Sequence, residues 1–330
     1  MLFIRLVRTV IVCFGLTMAL SLSAKTIVAV DSYNAGYPWS ETNRTGFVEN
    51  ISDEHEVTFY EMDTKRISTE LYAEKADAIW KEIVATNPDL VLTMDDNALK
   101  YLGERITDAG IPLVFLGVNH DPRTYFKDGK LPAKISGVME RPLLFQNIAY
   151  ISQLLPMTHQ RMLLMMDGGA TSTGFFDKTL EGRNKVAFKG IDLDVFIAGS
   201  FNSWQSKIKS LSADDYDAIL VGSFSTLQQN AAPNVGDGYI LQWASENSPI
   251  PLFTFWSHRI GHGKTIGGLV LSGYEHGKIA AKMVNSILET GKYPLIGISK
   301  IGEPIFSESQ LSRWGIDLPD YIRKRSQMVD

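Results

Sequence analysis

Two adjacent carboxylates followed by an amide, Asp95-Asp96-Asn97, stand where an apolar run ends and a helical pattern begins. Either aspartate can cap that helix by accepting its first free amides. Capping accounts for one of them; the other is then available for an ammonium or a hydroxyl. A second cluster, Asp167-Gly168-Gly169-Ala170-Thr171-Ser172-Thr173-Gly174, also follows an apolar run and precedes a helix. Its glycines let backbone amides approach a guest, and Thr171, Ser172 and Thr173 bring hydroxyls. A helix N-terminus with free amides accepts an anion, so a carboxylate fits here. A plain capped loop fits the same residues.

Aromatic side chains crowd a third segment, Ser32-Tyr33-Asn34-Ala35-Gly36-Tyr37-Pro38-Trp39. Tyr33 and Trp39 can wall a flat or apolar ligand, or simply pack the loop. Asn119-His120-Asp121-Pro122 is a polar cluster stiffened by its proline, and turn chemistry alone can explain it. Ser223-Phe224-Ser225-Thr226 and Trp256-Ser257-His258 close two later apolar runs and are weaker candidates.

Other motifs fail on spacing. Gly263-Lys264-Thr265 resembles the tail of a phosphate-binding loop, but that pattern needs a glycine where His258 stands. His258, His262 and His276 match no standard zinc spacing, so no metal and no cofactor are expected. No Gly-x-Ser-x-Gly elbow of an α/β hydrolase is present. Carboxylates that meet only in space leave no such signature, so an exported α/β enzyme stays open as a rival.

All these clusters follow β-rich runs, and the runs alternate with helical patterns. Thr26 to Val30, Val57 to Phe59, Asp89 to Met94 and Leu113 to Val118 read as strands. Leu71, Ala76, Ile79, Trp80 and Ile83 recur at helical spacing, with Ser68 or Thr69 as cap. The pattern restarts with a helix from Pro142 to about Leu155 and strands at Arg161 to Met166, Asp192 to Ile197, Asp217 to Val221 and Leu252 to Phe255. Trp204 to Leu211 and Tyr239 to Glu246 read as helices, and a long helix from about Glu275 to Glu289 stops at Gly291. Continuous apolar strands between amphipathic helices predict parallel sheets covered on both faces. In such sheets ligands bind outside the carboxyl ends of the strands, which is where the clusters lie.

The ends bound the setting. Arg5 and Arg8 precede an apolar stretch from Val10 to Leu22, and Ser21, Leu22, Ser23 and Ala24 offer small residues for cleavage. This predicts an export signal over 1–24, cleaved near Ala24, and a periplasmic protein. Cys13 is the only cysteine and leaves with the leader. Loss of the two arginines takes the formal charge from -5 to -7, which argues against nucleic acid. The 330 residues, less the leader, suit two domains of about 150 residues each.

Taken in order, these pieces resemble the ABC-transporter substrate-binding family that includes tryptophan-type and other amino-acid-binding proteins, built on the type I periplasmic-binding fold. The resemblance runs over nearly all of the mature chain. Its parts are Ser32 to Trp39, Asn87-Pro88-Asp89-Leu90-Val91-Leu92, Ile111-Pro112-Leu113-Val114-Phe115 with Asp121-Pro122, and Gly261 to Gly268 followed by Gly277 and the helix to Gly291. It implies two Rossmann-like α/β lobes with parallel sheets joined by a hinge. Lobe 1 would hold 25–138 and 256–290, and lobe 2 139–255 and 291–330. It also implies a site at Ser32 and Tyr33, at Asp95 to Asn97 and at Thr171 to Thr173. The departure at Asp95-Asp96-Asn97, where relatives commonly carry small residues and proline, leaves the ligand open.

The expectation is then a monomeric extracytoplasmic protein, not an enzyme, capturing an amino acid between its lobes, with aromatic amino acids among the candidates. Trp39 and Tyr33 would wall it, Asp95 or Asp96 would take its ammonium, and Thr171, Ser172 and helix amides its carboxylate. Asn119, Asp167, Ser223 and Trp256 complete the candidates. The partner would be the membrane permease of an ABC transporter. The aromatic loop also resembles ligand modules of bacterial sensors, so a membrane sensor is the other candidate partner.

Overall fold

The computed structural model describes residues 24–229, 234–299 and 302–330; the expected export signal lies outside the described residues apart from Ala24. The chain begins with β1 (Thr26–Asp31), α1 (Pro38–Val48), β2 (Glu56–Glu61), α2 (Tyr72–Thr86), β3 (Leu90–Met94), α3 (Asp95–Asp108), β4 (Leu113–Val118) and β5 (Ile135–Met139). It continues with α4 (Leu144–Ile151), β6 (Arg161–Asp167), α5 (Ala170–Thr179), β7 (Lys185–Phe188), β8 (Ile191–Ala198), α6 (Phe201–Lys209), β9 (Ala218–Val221), α7 (Asp237–Asn247) and β10 (Leu252–Thr254). The last part holds β11 (Gly267–Leu271), α8 (Gly273–Thr290), β12 (Gly297–Ile298), β13 (Gly302–Ser307), α9 (Glu308–Trp314), α10 (Asp320–Arg323) and β14 (Gln327–Val329).

The first sheet runs β12-β5-β4-β3-β1-β2 and is parallel throughout. Alternate residues of one strand serve opposite faces. Ile27, Ala29, Leu90, Leu92, Val114 and Leu116 pack against α1 and α8. Val28, Val30, Val91, Leu113 and Phe115 pack against α2 and α3. Covering on both sides explains why β3, β4 and β5 are buried at every residue, while the edge strand β2 keeps partly exposed positions. Asn87 ends α2 in a left-handed turn (φ 47) just before Pro88, and Gly291 ends α8 likewise (φ 67).

The second sheet runs β10-β9-β6-β8-β7. It is parallel from β10 to β8, and α6 and α7 cover one face while α4 and α5 cover the other. Its far edge is antiparallel: β7 and β8 form a hairpin across Lys189 and Gly190, both at positive φ (52° and 81°). The four residues of β7 carry only a faint alternation, too little to mark a strand in the sequence. The helix expected from Pro142 to about Leu155 is shorter in the structure. α4 spans Leu144–Ile151, since Leu143 is not helical and hydrogen-bonded turns carry the chain beyond Ile151.

A third, small sheet, β11-β13-β14, grows from the edge of the second. Ile266 N donates to Leu252 O and Leu271 N to Phe255 O, which ties β11 to β10. Asn147 of α4 brackets Leu269 through both main-chain groups (2.7 and 2.9 Å). None of the described helices is long and apolar enough to cross a membrane.

Candidate functional site

The carboxyl ends of the two larger sheets face a common cleft. Two cavities occupy it, with about 280 and about 340 Å³ of empty space that runs out into open solvent, and share Tyr33, Lys65, Asp95, Thr171 and Ser223. The first sheet delivers Tyr33 after β1, Lys65 after β2 and Asp95 after β3. The second delivers Thr171 after β6 and Ser223 after β9. Tyr37, Trp39, Glu140, Trp256, His258 and Arg259 complete the smaller cavity.

Local hydrogen bonds set these side chains. Asp31, 1% exposed, accepts Tyr33 N at 2.9 Å and Ser40 Oγ at 3.0 Å and faces Arg44, which fixes the aromatic loop. Tyr33 then donates its phenol to Asp95 Oδ1 at 2.6 Å. Asp95 itself has positive φ (71°), an unusual conformation for a non-glycine residue that turns its carboxylate back toward Tyr33. Across the cleft, Trp256 Nε1 donates to Glu140 Oε1 at 3.1 Å.

Burial governs the electrostatics. It pushes Asp95 up to about 7, with the neighbouring Asp96 adding repulsion against the pull of Tyr33 and Lys65. Burial and then the Asp95 charge hold Glu140 well above the usual carboxylate range. His258 is driven well below its ordinary value by burial, then by Arg259 and Lys65. For Lys65, burial acts to lower its pKa, but Tyr37, Asp237, Asp95 and Asp167 together outweigh it and raise the ammonium above its usual range.

Of the residues expected from sequence, Tyr33, Trp39, Asp95, Thr171, Ser223 and Trp256 line the smaller cavity, and Asp96 and Asn97 the larger. Five others, Ser32, Asn119, Asp167, Ser172 and Thr173, lie outside both. Ser32 is fully buried, donates to Met94 O and accepts Ala98 N. Ser32 therefore caps α3 at Ala98 N, while Asp95 accepts only the adjacent Asp96 N and Asp96 accepts from outside the helix. Asn119 is buried and turned toward Gly117 O. Asp167 accepts four bonds, from Gly169 N, Ser172 Oγ and both Thr226 N and Oγ1, so it fastens two loops together. Thr173 bonds back to the carbonyls of Gly169 and Ala170. Ser172 lines an adjoining apolar cavity with Phe175 and Phe255, its hydroxyl held by Asp167. Asp96 reaches the cleft with both oxygens engaged, by Asn119 N, His120 N and the Tyr125 hydroxyl.

Sequence reasoning missed Lys65, Glu140 and Arg259 as site residues. The rule of strand ends would have reached Lys65 had the edge strand β2 been followed to its end. It would have reached Glu140 had β5 been read as a strand.

The cleft sits on a known scaffold. The chain is similar to the L-Trp-bound ABC domain from Streptococcus pneumonia, at 17% identity and a TM-score of 0.65, over 93% of this chain and 100% of that one. It is similar to a ligand-free, open substrate-binding protein with adhesive properties from Clostridium difficile, at 16% identity and TM-score 0.67, over 93% and 99%. It is also similar to a periplasmic ribose ABC transporter protein from Conexibacter woesei, at 16% identity and TM-score 0.55, over 92% and 98%. No family model and no curated protein matches the sequence. The chain therefore has the type I periplasmic-binding fold.

Proposed function

We propose that this chain is an extracytoplasmic solute-binding protein that captures an amino acid in the cleft and hands it to the permease of an ABC transporter. One observation carries the reading: both sheets aim carboxyl-end side chains into the same small aromatic-walled space, with acids and cations within it. Tyr33, Tyr37, Trp39 and Trp256 suit an aromatic side chain, and Asp95 with Glu140 suits an ammonium. In this reading the first lobe comprises β1 to β5 with β12 and α8, and the second comprises β6 to β10 with the third sheet. The lobe boundary expected at 256 then moves to about 272, because β11 is hydrogen-bonded to the second lobe. Closure is a hinge motion stabilised by a ligand that prefers the closed state.

A thermal-shift screen of the mature protein against amino acids, sugars and small anions tests this. A true ligand at a hundred times its Kd adds about 2.7 kcal/mol of stability. Aromatic amino acids are expected to raise Tm, with the added compound recovered unchanged. Failure of every compound to shift Tm, or conversion of one into product, defeats the reading.

A further inference from the structure

Two cations reach the smaller cavity from different loops, and each has hydrogen-bonding capacity left over. Arg259, 3% exposed, is held between the ring faces of Phe224 and Trp256, with its guanidinium carbon 4.0 and 4.7 Å from their centroids. Nη1 donates to Gly222 O, Nη2 lies 3.9 Å from Asp237, and the buried Nε–H has no partner. Lys65 places Nζ 4.3 Å from the ring centre of Tyr33 and 5.3 Å from that of Tyr37, and this ammonium makes no ion pair or hydrogen bond among the described residues. The acids of the cavity are better supplied. Asp95 already holds the Tyr33 hydroxyl and Asp96 N, and Glu140 holds Trp256 Nε1. Unengaged donors of positive charge in a confined space call for an anionic acceptor.

At the α5 N-terminus, where the sequence placed a carboxylate, part of the donor set is already engaged within its own loop. Gly169 N, the Ser172 hydroxyl and the Thr173 hydroxyl all have partners inside the loop or helix. We propose that Lys65 and Arg259, with His258 beside them, form an anion subsite that takes the carboxylate of the captured ligand. This rests on the capture reading and assigns the ligand's orientation within it. The carboxylate lies toward Arg259 at the second sheet, and the ammonium toward Asp95 at the first. His258 supports the arrangement because it lines the same cavity and its Nε2 is buried without a partner. Stacking between two aromatic faces holds the Arg259 fork in place before the ligand arrives, so little ordering is needed on binding.

Sodium benzoate at constant ionic strength is the probe, read by the change in intrinsic fluorescence to which Trp39 and Trp256, two of the six tryptophans, contribute from the cavity wall. Benzoate is expected to saturate, and benzyl alcohol, its uncharged analogue, is not. Lys65→Gln weakens benzoate about tenfold or more, the usual loss for a charge-assisted contact. Arg259→Lys weakens it as well, despite keeping its charge. Lys282→Gln, an equal charge loss on the exposed face of α8, leaves it unchanged. Circular dichroism confirms that each variant folds. Equal binding of benzyl alcohol and benzoate, or wild-type affinity in both Lys65→Gln and Arg259→Lys, overturns the subsite. If amino acids raise Tm while benzoate does not bind, the subsite falls and the capture reading stands. If neither benzoate nor any amino acid has an effect, both fall.

Discussion

Gly174 offers a way to separate closure from folding. It lies inside α5 of the second sheet's unit and packs against the Asn119-His120 loop of the first. A Cβ there would stand 2.6 Å from His120 Nδ1 and 3.0 Å from His120 N. The imidazole can swing away, but the main-chain nitrogen cannot, because Asp96 Oδ1 holds it at 3.1 Å. Gly174→Ala therefore acts on the two states in opposite senses. With the lobes apart, alanine in a helix interior gains up to about 1 kcal/mol over glycine. With the lobes together, the overlap costs about 1–3 kcal/mol, typical of overpacking. Since that cost falls only on the closed form, apparent affinity should weaken about 5- to 150-fold. The assay pairs small-angle scattering, with and without the ligand found in the screen, with equilibrium binding and Tm. We expect a less compact liganded protein and weaker binding, at an unchanged or higher ligand-free Tm. Gly199→Ala, with nothing within 4 Å of its Cβ, is the control and should bind as wild type. Wild-type affinity and compaction in Gly174→Ala would refute the reasoning, as would a ligand-free Tm that falls with the affinity.

Two further outcomes follow from the site. Asp95 is raised in the folded protein to about 7, chiefly by burial, against 3.8 as its ordinary value. A carboxyl that keeps its proton longer when folded adds stability that is fully present below about pH 4 and is lost as pH rises toward 7. Asp95→Asn should flatten Tm across that window, and parallel profiles for the two proteins would contradict the assignment. Ser32→Ala removes a buried hydroxyl that bonds Met94 O at 2.7 Å and caps Ala98 N at 2.8 Å. It should cost about 1–2 kcal/mol in urea unfolding at constant m, and a loss under 0.5 kcal/mol would show that α3 needs no such cap.

The architecture was largely legible in the chain. Leu90 to Met94 and Leu113 to Val118 are continuous apolar runs because strands buried on both faces have no solvent side to mark. The stops at Asn87 and Gly291 follow from which residues tolerate a left-handed turn. Strand ends located Tyr33, Asp95, Thr171 and Ser223, because in a parallel sheet chain direction alone decides which loops share an edge. The β7 edge escaped notice because so short a strand leaves little pattern.

What the sequence could not settle was how each polar group is engaged. Asp96 and Asp167 read as open to a ligand, yet Asp96 is held by Asn119, His120 and Tyr125, and Asp167 by its own loop at Oδ1 and by the distant Thr226 at Oδ2. Glu140 and Trp256, 116 residues apart, meet only in the folded cleft. Arg259 carries no motif in the sequence, and Phe224 and Trp256 close around it only in the fold. Local sterics and hydropathy act over a few residues and so write helices and strands directly into the chain. Whether a donor or acceptor remains available depends on partners that only long-range packing brings within 3 Å, and that was decided by the tertiary structure alone.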